Sequence, residues 1–254
     1  MSVIGIISMK GGVGKTSTTA NLATALSAKL GPRRVSVLDL DPQNALHWHF
    51  GLNLPDAEGV CEQSLQRAPW TDVLYDTAFD LACLPYGVGK ETDREAFEAL
   101  LAREPDWIAR QIASTGLDQN AVVLIDTPPG PSVYMRQVFA CADLIIIVLL
   151  ADAGSYATIP AMESWLDEMA TQDCAPPCVY LLNQIDASDS LSRDVTVMLR
   201  EHLGERLAPV RIHRDESVSE ALAFQQPVLV YDPHGQASHD LSRLAGWLID
   251  TLNR

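Results

Sequence analysis

The chain has 254 residues, is 47% hydrophobic and carries a formal net charge of −15. That length and apolar content suit one large core, so a single domain over residues 1–254 is expected. No stretch reaches the roughly 18–20 apolar residues that span a bilayer, no basic leader precedes the first strand, and so acidic a total speaks against coating nucleic acid without sequence preference.

The first sixteen residues organise the rest. Val3, Ile4, Ile6 and Ile7 make a β-branched run, followed by the glycine-rich turn Lys10-Gly11-Gly12-Val13-Gly14-Lys15-Thr16. Beyond it Leu22, Ala25 and Leu26 share one helical face. Strand, glycine loop and helix together build a phosphate site. The glycines let successive N–H groups point inward at an anion, and the helix N-terminus adds its partial positive charge. Gly11, Gly12, Val13 and Gly14 are expected to cradle phosphates, Lys15 to reach the terminal ones, and the Thr16 hydroxyl to hold Mg²⁺, with Ser17 beside them. Met9 stands where an ordinary phosphate loop begins with glycine, and Lys10 is an added lysine.

Gly31-Pro32 ends the first helix. A second strand over residues 34–39 carries Asp39 and leads to Asp41; alternation on extended chain points both the same way. Asp41 is read either as a group near the phosphates or as the N-cap of the segment after Pro42. Short helices are expected at 45–50 and 62–67, joined by a loop. His47 and His49, two apart on a helix, face different sides and do not suggest a metal site. A third strand covers 79–84, and a charged helical stretch covers 93–113 with a break at Pro105.

Residues 121–125 form a buried strand ending in Asp126, followed by Thr127-Pro-Pro-Gly130. Apolar residues fix such a strand and its terminal carboxylate reaches the Mg²⁺ shell. Then come a helix (132–141), a buried strand (144–150), a helix (155–169), a strand (179–182), a helix (191–203), a short strand (209–212), a helix (216–224), a brief strand (228–230) and a last helix (239–252). Asn183 closes the strand before Gln184-Ile-Asp186. Its amide both donates and accepts, which suits an adenine edge, although a turn-forming Asn is the plain alternative. The five cysteines are scattered, which suits free thiols in a reducing cytoplasm; Cys174-Ala-Pro-Pro-Cys178 reads as a surface loop. Continuous apolar strands alternating with helices predict an α/β, single-domain fold with a mainly parallel twisted sheet of about 7–8 strands and helices on both faces; with the glycine loop after the first strand, the expected fold is that of a P-loop NTPase. Ligands of such sheets bind at the strands' carboxyl ends, where all these polar motifs fall.

The K-G-G-V-G-K-T loop resembles the deviant Walker A of the MinD/ParA class of SIMIBI ATPases, and Asp39-Leu-Asp41-Pro-Gln43 is similar to the same class. The resemblance implies ATP and Mg²⁺ as cofactors and a homodimer that sandwiches two ATP. It implies that Lys10 crosses to the partner's nucleotide, that Asp39 and Asp126 support the Mg²⁺ held by Thr16, and that Asp41 positions the attacking water. Lys10, Lys15 and Asp41 are then the catalytic set. Asp126 to Gly130 matches the switch that senses the γ-phosphate, Asn183 the adenine contact, and Asp152 an acid at the dimer seam. Ile212-His-Arg214-Asp-Glu216, Gln226-Pro-Val228 and Leu84-Pro-Tyr-Gly87 look closer still to the BcsQ (YhjQ) family of cellulose secretion, which adds Arg214 to the nucleotide-binding residues. This implies a cytoplasmic ATPase, slow and partner-regulated, peripheral at the inner membrane through small Bcs subunits that assemble cellulose synthase. The alternatives within the class are a ParA-type DNA-partitioning ATPase, which the charge disfavours, a MinD-like positioning ATPase, and a scaffold that holds nucleotide without turnover. MinD ends in a basic membrane-inserting helix; here Leu241, Leu244, Ala245, Leu248 and Leu252 share a face, but only Arg243 and Arg254 are basic, so packing on the sheet is expected.

Overall fold

The computed structural model describes residues 1–54, 58–170 and 175–253. Cys174 and Arg254, both named above, lie outside these residues, as does part of the loop before residue 60. The strands are β1 (Ser2–Ile7), β2 (Val35–Asp39), β3 (Tyr75–Asp76), β4 (Ala82–Leu84), β5 (Val122–Asp126), β6 (Leu144–Leu150) and β7 (Cys178–Asn183), in the spatial order β3-β4-β2-β5-β1-β6-β7. Every neighbouring pair is parallel except β3 with β4. The first strand, which carries the glycine loop, therefore sits between β5 and β6 near the middle of the sheet.

Alternation decides which layer each strand residue enters. Val3 and Ile7 of β1 join one core, with Ile145, Ile147 and Leu149 of β6. Ile4 and Ile6 join the other, with Leu144, Ile146 and Val148. Because both faces are buried, β6 reads as an unbroken apolar run instead of an alternating one. The first face is covered by α2 (Val60–Leu65), α3 (Glu91–Arg103), α4 (Trp107–Ser114), α5 (Val133–Cys141), α6 (Ala153–Met169) and α7 (Ser190–Leu203). The second is covered by α1 (Lys15–Leu30), α8 (Ser217–Ala223), α9 (Val228–Tyr231) and α10 (Gln236–Leu252). α1 lies against both the sheet and α10, and is buried nearly all round from Thr18 to Ser27. Gly5 lets α5 approach β1: a Cβ there would stand 2.3 Å from Val138 Cγ1.

The break expected at Pro105 is present, since α3 ends at Arg103 and α4 starts at Trp107. Two expected strands are not strands. Residues 228–230 belong to the helical turn α9, because Asn21 Oδ1 accepts the Val228 N–H at 2.7 Å and Pro227 starts a turn closed by Val230 N and Tyr231 N on its carbonyl. Residues 209–212 run beside β7, flanked by isolated bridges at Leu207 and His213; Ala208 N donates to Tyr180 O and Ile212 N to Leu182 O. Pro209 lacks an N–H, so a regular ladder cannot form there. The stretch at 45–50 is a 3₁₀ helix, Leu46–Phe50, in which His47 Nδ1 meets Leu52 O and both histidines are buried. β4 falls within the strand expected at 79–84, whereas β3, two residues long, escapes sequence reading. α10 buries Leu241, Leu244, Ala245 and Leu248, as expected for packing. Among the described residues no helix is long and apolar enough to cross a membrane.

Candidate nucleotide site

The loop between β1 and α1 owes its shape to two left-handed glycines. Gly12 has φ 75° and Gly14 φ 85°, and Gly14 is also the N-cap of α1. A Cβ on Gly14 would stand 2.5 Å from Asn183 Nδ2, so no other residue fits there without displacing Asn183. The first turn of α1 contains no acidic residue. Its free N–H groups and dipole therefore remain available to an anion.

Lys15 opens α1 and is buried. Burial lowers its pKa, and the charges of Asp126 and Asp41 act in the opposite direction. Thr16 Oγ1 donates to Asp126 Oδ2 at 2.6 Å, and Thr19 Oγ1 reaches Asp126 Oδ1 at 3.3 Å. Asp39 and Asp126 are register partners on β2 and β5, both fully buried. Burial pushes the Asp126 carboxyl up to about 6, against the Thr16 hydroxyl and the Lys15 charge, which pull it down. Burial and then the Asp126 charge hold Asp39 well above the usual carboxylate range.

The two β2-end aspartates do different work. Asp39 accepts from Asp41 N at 2.9 Å and Leu46 N at 3.0 Å, so it braces the turn after its strand. Asp41 accepts from Gln43 N at 2.9 Å. It closes an Asx turn and does not cap the following helix, whose N-cap is Ala45. Its charge is felt by both Lys15 and Asp126, which places it on the loop side. The segment after Asp126 is stitched to the same loop: Thr127 Oγ1 donates to Ile6 O at 2.9 Å and Gly130 N to Ser8 O at 2.8 Å.

At the rim Lys10 Nζ meets Asp152 Oδ2 at 2.7 Å within the same chain. Asp152 is the N-cap of α6 and also accepts from Ser155 N. Burial raises its pKa, and the hydrogen bonds from Lys10 and Ser155 outweigh that effect and bring it below the ordinary value. Gly154 leaves room for the lysine, since a Cβ there would stand 2.9 Å from Lys10 Nζ. On the other side of the loop Asn183 Nδ2 donates to Val13 O at 2.8 Å. Gly14, Ser17, Asn183 and Arg214 line one cavity of about 510 Å³. Elsewhere in the loop Val13 is buried in the core, Gly12 has open space where a Cβ would stand, and Gly11 passes near Pro129 of the segment after Asp126.

One contributor was not expected. Asn21, a turn and a half into α1, lines the cavity, donates to Ser17 O and accepts from Val228 N. A buried Asn on the apolar side of a helix is the signal that could have singled it out, because such a group needs partners. Gln184 takes φ 53°, which turns the chain away from β7 just after Asn183.

The donor set fits a hard divalent cation. A hydroxyl and one or two carboxylates, completed by phosphate oxygens, are what Mg²⁺ takes. Among the described residues no cluster of three or more His, Cys, Asp or Glu side chains offers a closed all-protein site. Thr16, Asp126 and Asp39 are the residues that would hold it. Two buried acids side by side, one at about 6, are a site short of positive charge.

Comparison with known proteins shows what the chain as a whole resembles. The MinD septum site-determining protein of Pyrococcus horikoshii, in complex with Mg-ADP, superposes with a TM-score of 0.74 at 21% identity, covering 97% of this chain and 95% of its own. The chromosome partitioning protein ParA of Caulobacter vibrioides is 27% identical over 96% of this chain and 92% of its own length. The cellulose biosynthesis protein BcsQ of Salmonella typhimurium is 28% identical over 98% of this chain and 94% of its own. The family model for cellulose biosynthesis protein BcsQ matches residues 1–249, and the chain therefore belongs to that family of P-loop ATPase-fold proteins.

Proposed function

We propose that the protein binds Mg-ATP, closes into a homodimer around two nucleotides, and hydrolyses them to reset a switch that acts on the cellulose synthase and secretion machinery. The observation that carries the reading is the convergence of Lys15, Thr16 and Asp126 at the anion-ready start of α1, with Asn183 on the far side of the same loop. In this reading the loop N–H groups and Lys15 hold the phosphates. Thr16, Asp39 and Asp126 hold Mg²⁺, which would neutralise charge on the phosphates. Asp41 orients water, Asn183 and Arg214 take the base side, and Lys10 reaches the partner's nucleotide. The family name and the Mg-ADP of the superposed MinD support it.

Phosphate release measured on the wild type and on Asp41→Ala tests turnover. A rate that Asp41→Ala leaves unchanged would remove Asp41 from the reaction. Light scattering with ATP tests the dimer: Lys10→Ala is expected to stay monomeric. Cellulose output in cells lacking the gene, restored by the wild type and not by Lys15→Ala, tests the pathway. Membrane contact in this reading runs through partner subunits, with the chain itself in the cytoplasm. A partitioning ATPase is the second reading, motivated by the ParA relative. It requires ATP-dependent, salt-sensitive binding to arbitrary duplex DNA in a gel shift, which a net charge of −15 opposes.

A further inference from the structure

Beside the nucleotide cavity, and separated from it by His213, lies a second cavity of about 360 Å³. Arg200 from α7, Arg211 from the segment along β7 and Arg243 from α10 all line it. In a chain with 18 Lys and Arg against 33 Asp and Glu, three guanidinium groups from three separate elements on one cavity is a concentrated positive charge. Among the described residues none of these three is in an ion pair, whereas Arg33, Arg67, Arg94, Arg110, Arg136 and Arg206 each are.

Asp240, the acid that lines the cavity, is almost fully buried and committed elsewhere. Its Oδ2 accepts from His213 N at 3.0 Å and meets His213 Nδ1 at 2.7 Å, and its Oδ1 accepts from Gln236 at 3.0 Å. The carboxylate therefore fixes the histidine wall and forms no ion pair with the three arginines. Guanidinium groups match phosphate oxygens in paired hydrogen bonds. The volume falls in the range of small-molecule pockets and exceeds what a lone ion needs. Leu207, Ala208 and Val210 give it an apolar side.

We propose that this cavity is a second anion site, which takes a phosphate-bearing small molecule of nucleotide size and is separate from the site at the glycine loop. The test is calorimetric titration of the full chain with inorganic pyrophosphate, Mg²⁺ in excess, at fixed ionic strength. Lys15→Ala, which disables the glycine loop, is expected to keep binding pyrophosphate. Arg200→Gln/Arg243→Gln, both at exposed positions, is expected to weaken binding measured with the loop filled by Mg-ADP by about tenfold or more. Circular dichroism confirms that each variant is folded. Pyrophosphate binding that disappears in Lys15→Ala, or that the arginine substitutions leave unchanged, overturns the proposal.

Discussion

Lys10 and Asp152, 142 residues apart in sequence, meet at 2.7 Å at the rim of the loop in a single chain. In the proposed dimer Lys10 would reach the partner's nucleotide, yet here its own subunit holds it. The pair is partly exposed, so its loss should cost only about 0–1 kcal/mol of stability. Asp152→Asn keeps an acceptor for the Ser155 N–H and so keeps the cap of α6. The expected result is a lower ATP concentration for half-maximal dimerisation by light scattering, because Lys10 no longer has to leave a charged partner. A higher concentration would mean that Asp152 orients Lys10 in the closed dimer as well.

Gly14→Ala and Gly12→Ala separate strain from collision. Both positions have left-handed φ, which costs a non-glycine residue about 1–2 kcal/mol. Only at Gly14 does the new Cβ also strike Asn183; at Gly12 it meets open space. Calorimetric titration with Mg-ADP should show a much larger affinity loss for Gly14→Ala. Equal losses would mean that backbone strain alone governs the loop.

Asp126→Asn should trade function for stability. The acid is raised to about 6 in the fold from an ordinary 3.8, so the folded chain holds the extra proton and loses stability as pH rises through that interval. At about 1.4 kcal/mol per pKa unit, the cost above pH 6 is up to about 3 kcal/mol. The nucleotide-free variant should therefore melt higher than the wild type at pH 7.5, with the gap closing towards pH 4, while phosphate release falls to background. A gap independent of pH would contradict a burial-raised carboxyl.

Asn21→Ala leaves the buried Val228 N–H without its acceptor, at about 1–3 kcal/mol. Urea unfolding should register that loss. Nucleotide affinity should fall as well, since Asn21 and Ser17 share a hydrogen bond at the cavity wall.

Much of this was legible in the residues. The loop, β5 ending in Asp126, and the unbroken apolar run of β6 announce themselves, because both sheet faces are buried and the chemistry sits at strand ends. The misassigned segments share a cause. Val228 is β-branched and flanked by apolar residues, yet Asn21 takes its N–H and a helical turn results. Residues 209–212 look like a strand, but Pro209 withholds a donor and the segment only touches β7. Both outcomes depend on partners far away in sequence, as does the tie between Lys10 and Asp152. The Leu84-Pro-Tyr-Gly87 string acquires a reason only in three dimensions. Tyr86 OH meets Tyr134 OH at 2.9 Å on the helix after Asp126, and Gly87, at φ 106°, lies where a Cβ would strike Glu62.

The sheet is closed to lateral growth. At one border β3 is only two residues long and runs antiparallel to its neighbour. At the other, Ala208 and Ile212 already give their N–H groups to β7. Unpaired strand edges are the ordinary template for strand-to-strand association, and here both are blunted. A homodimer of the kind proposed would therefore have to form through helices and strand-end loops, and the glycine loop is one of those strand-end loops.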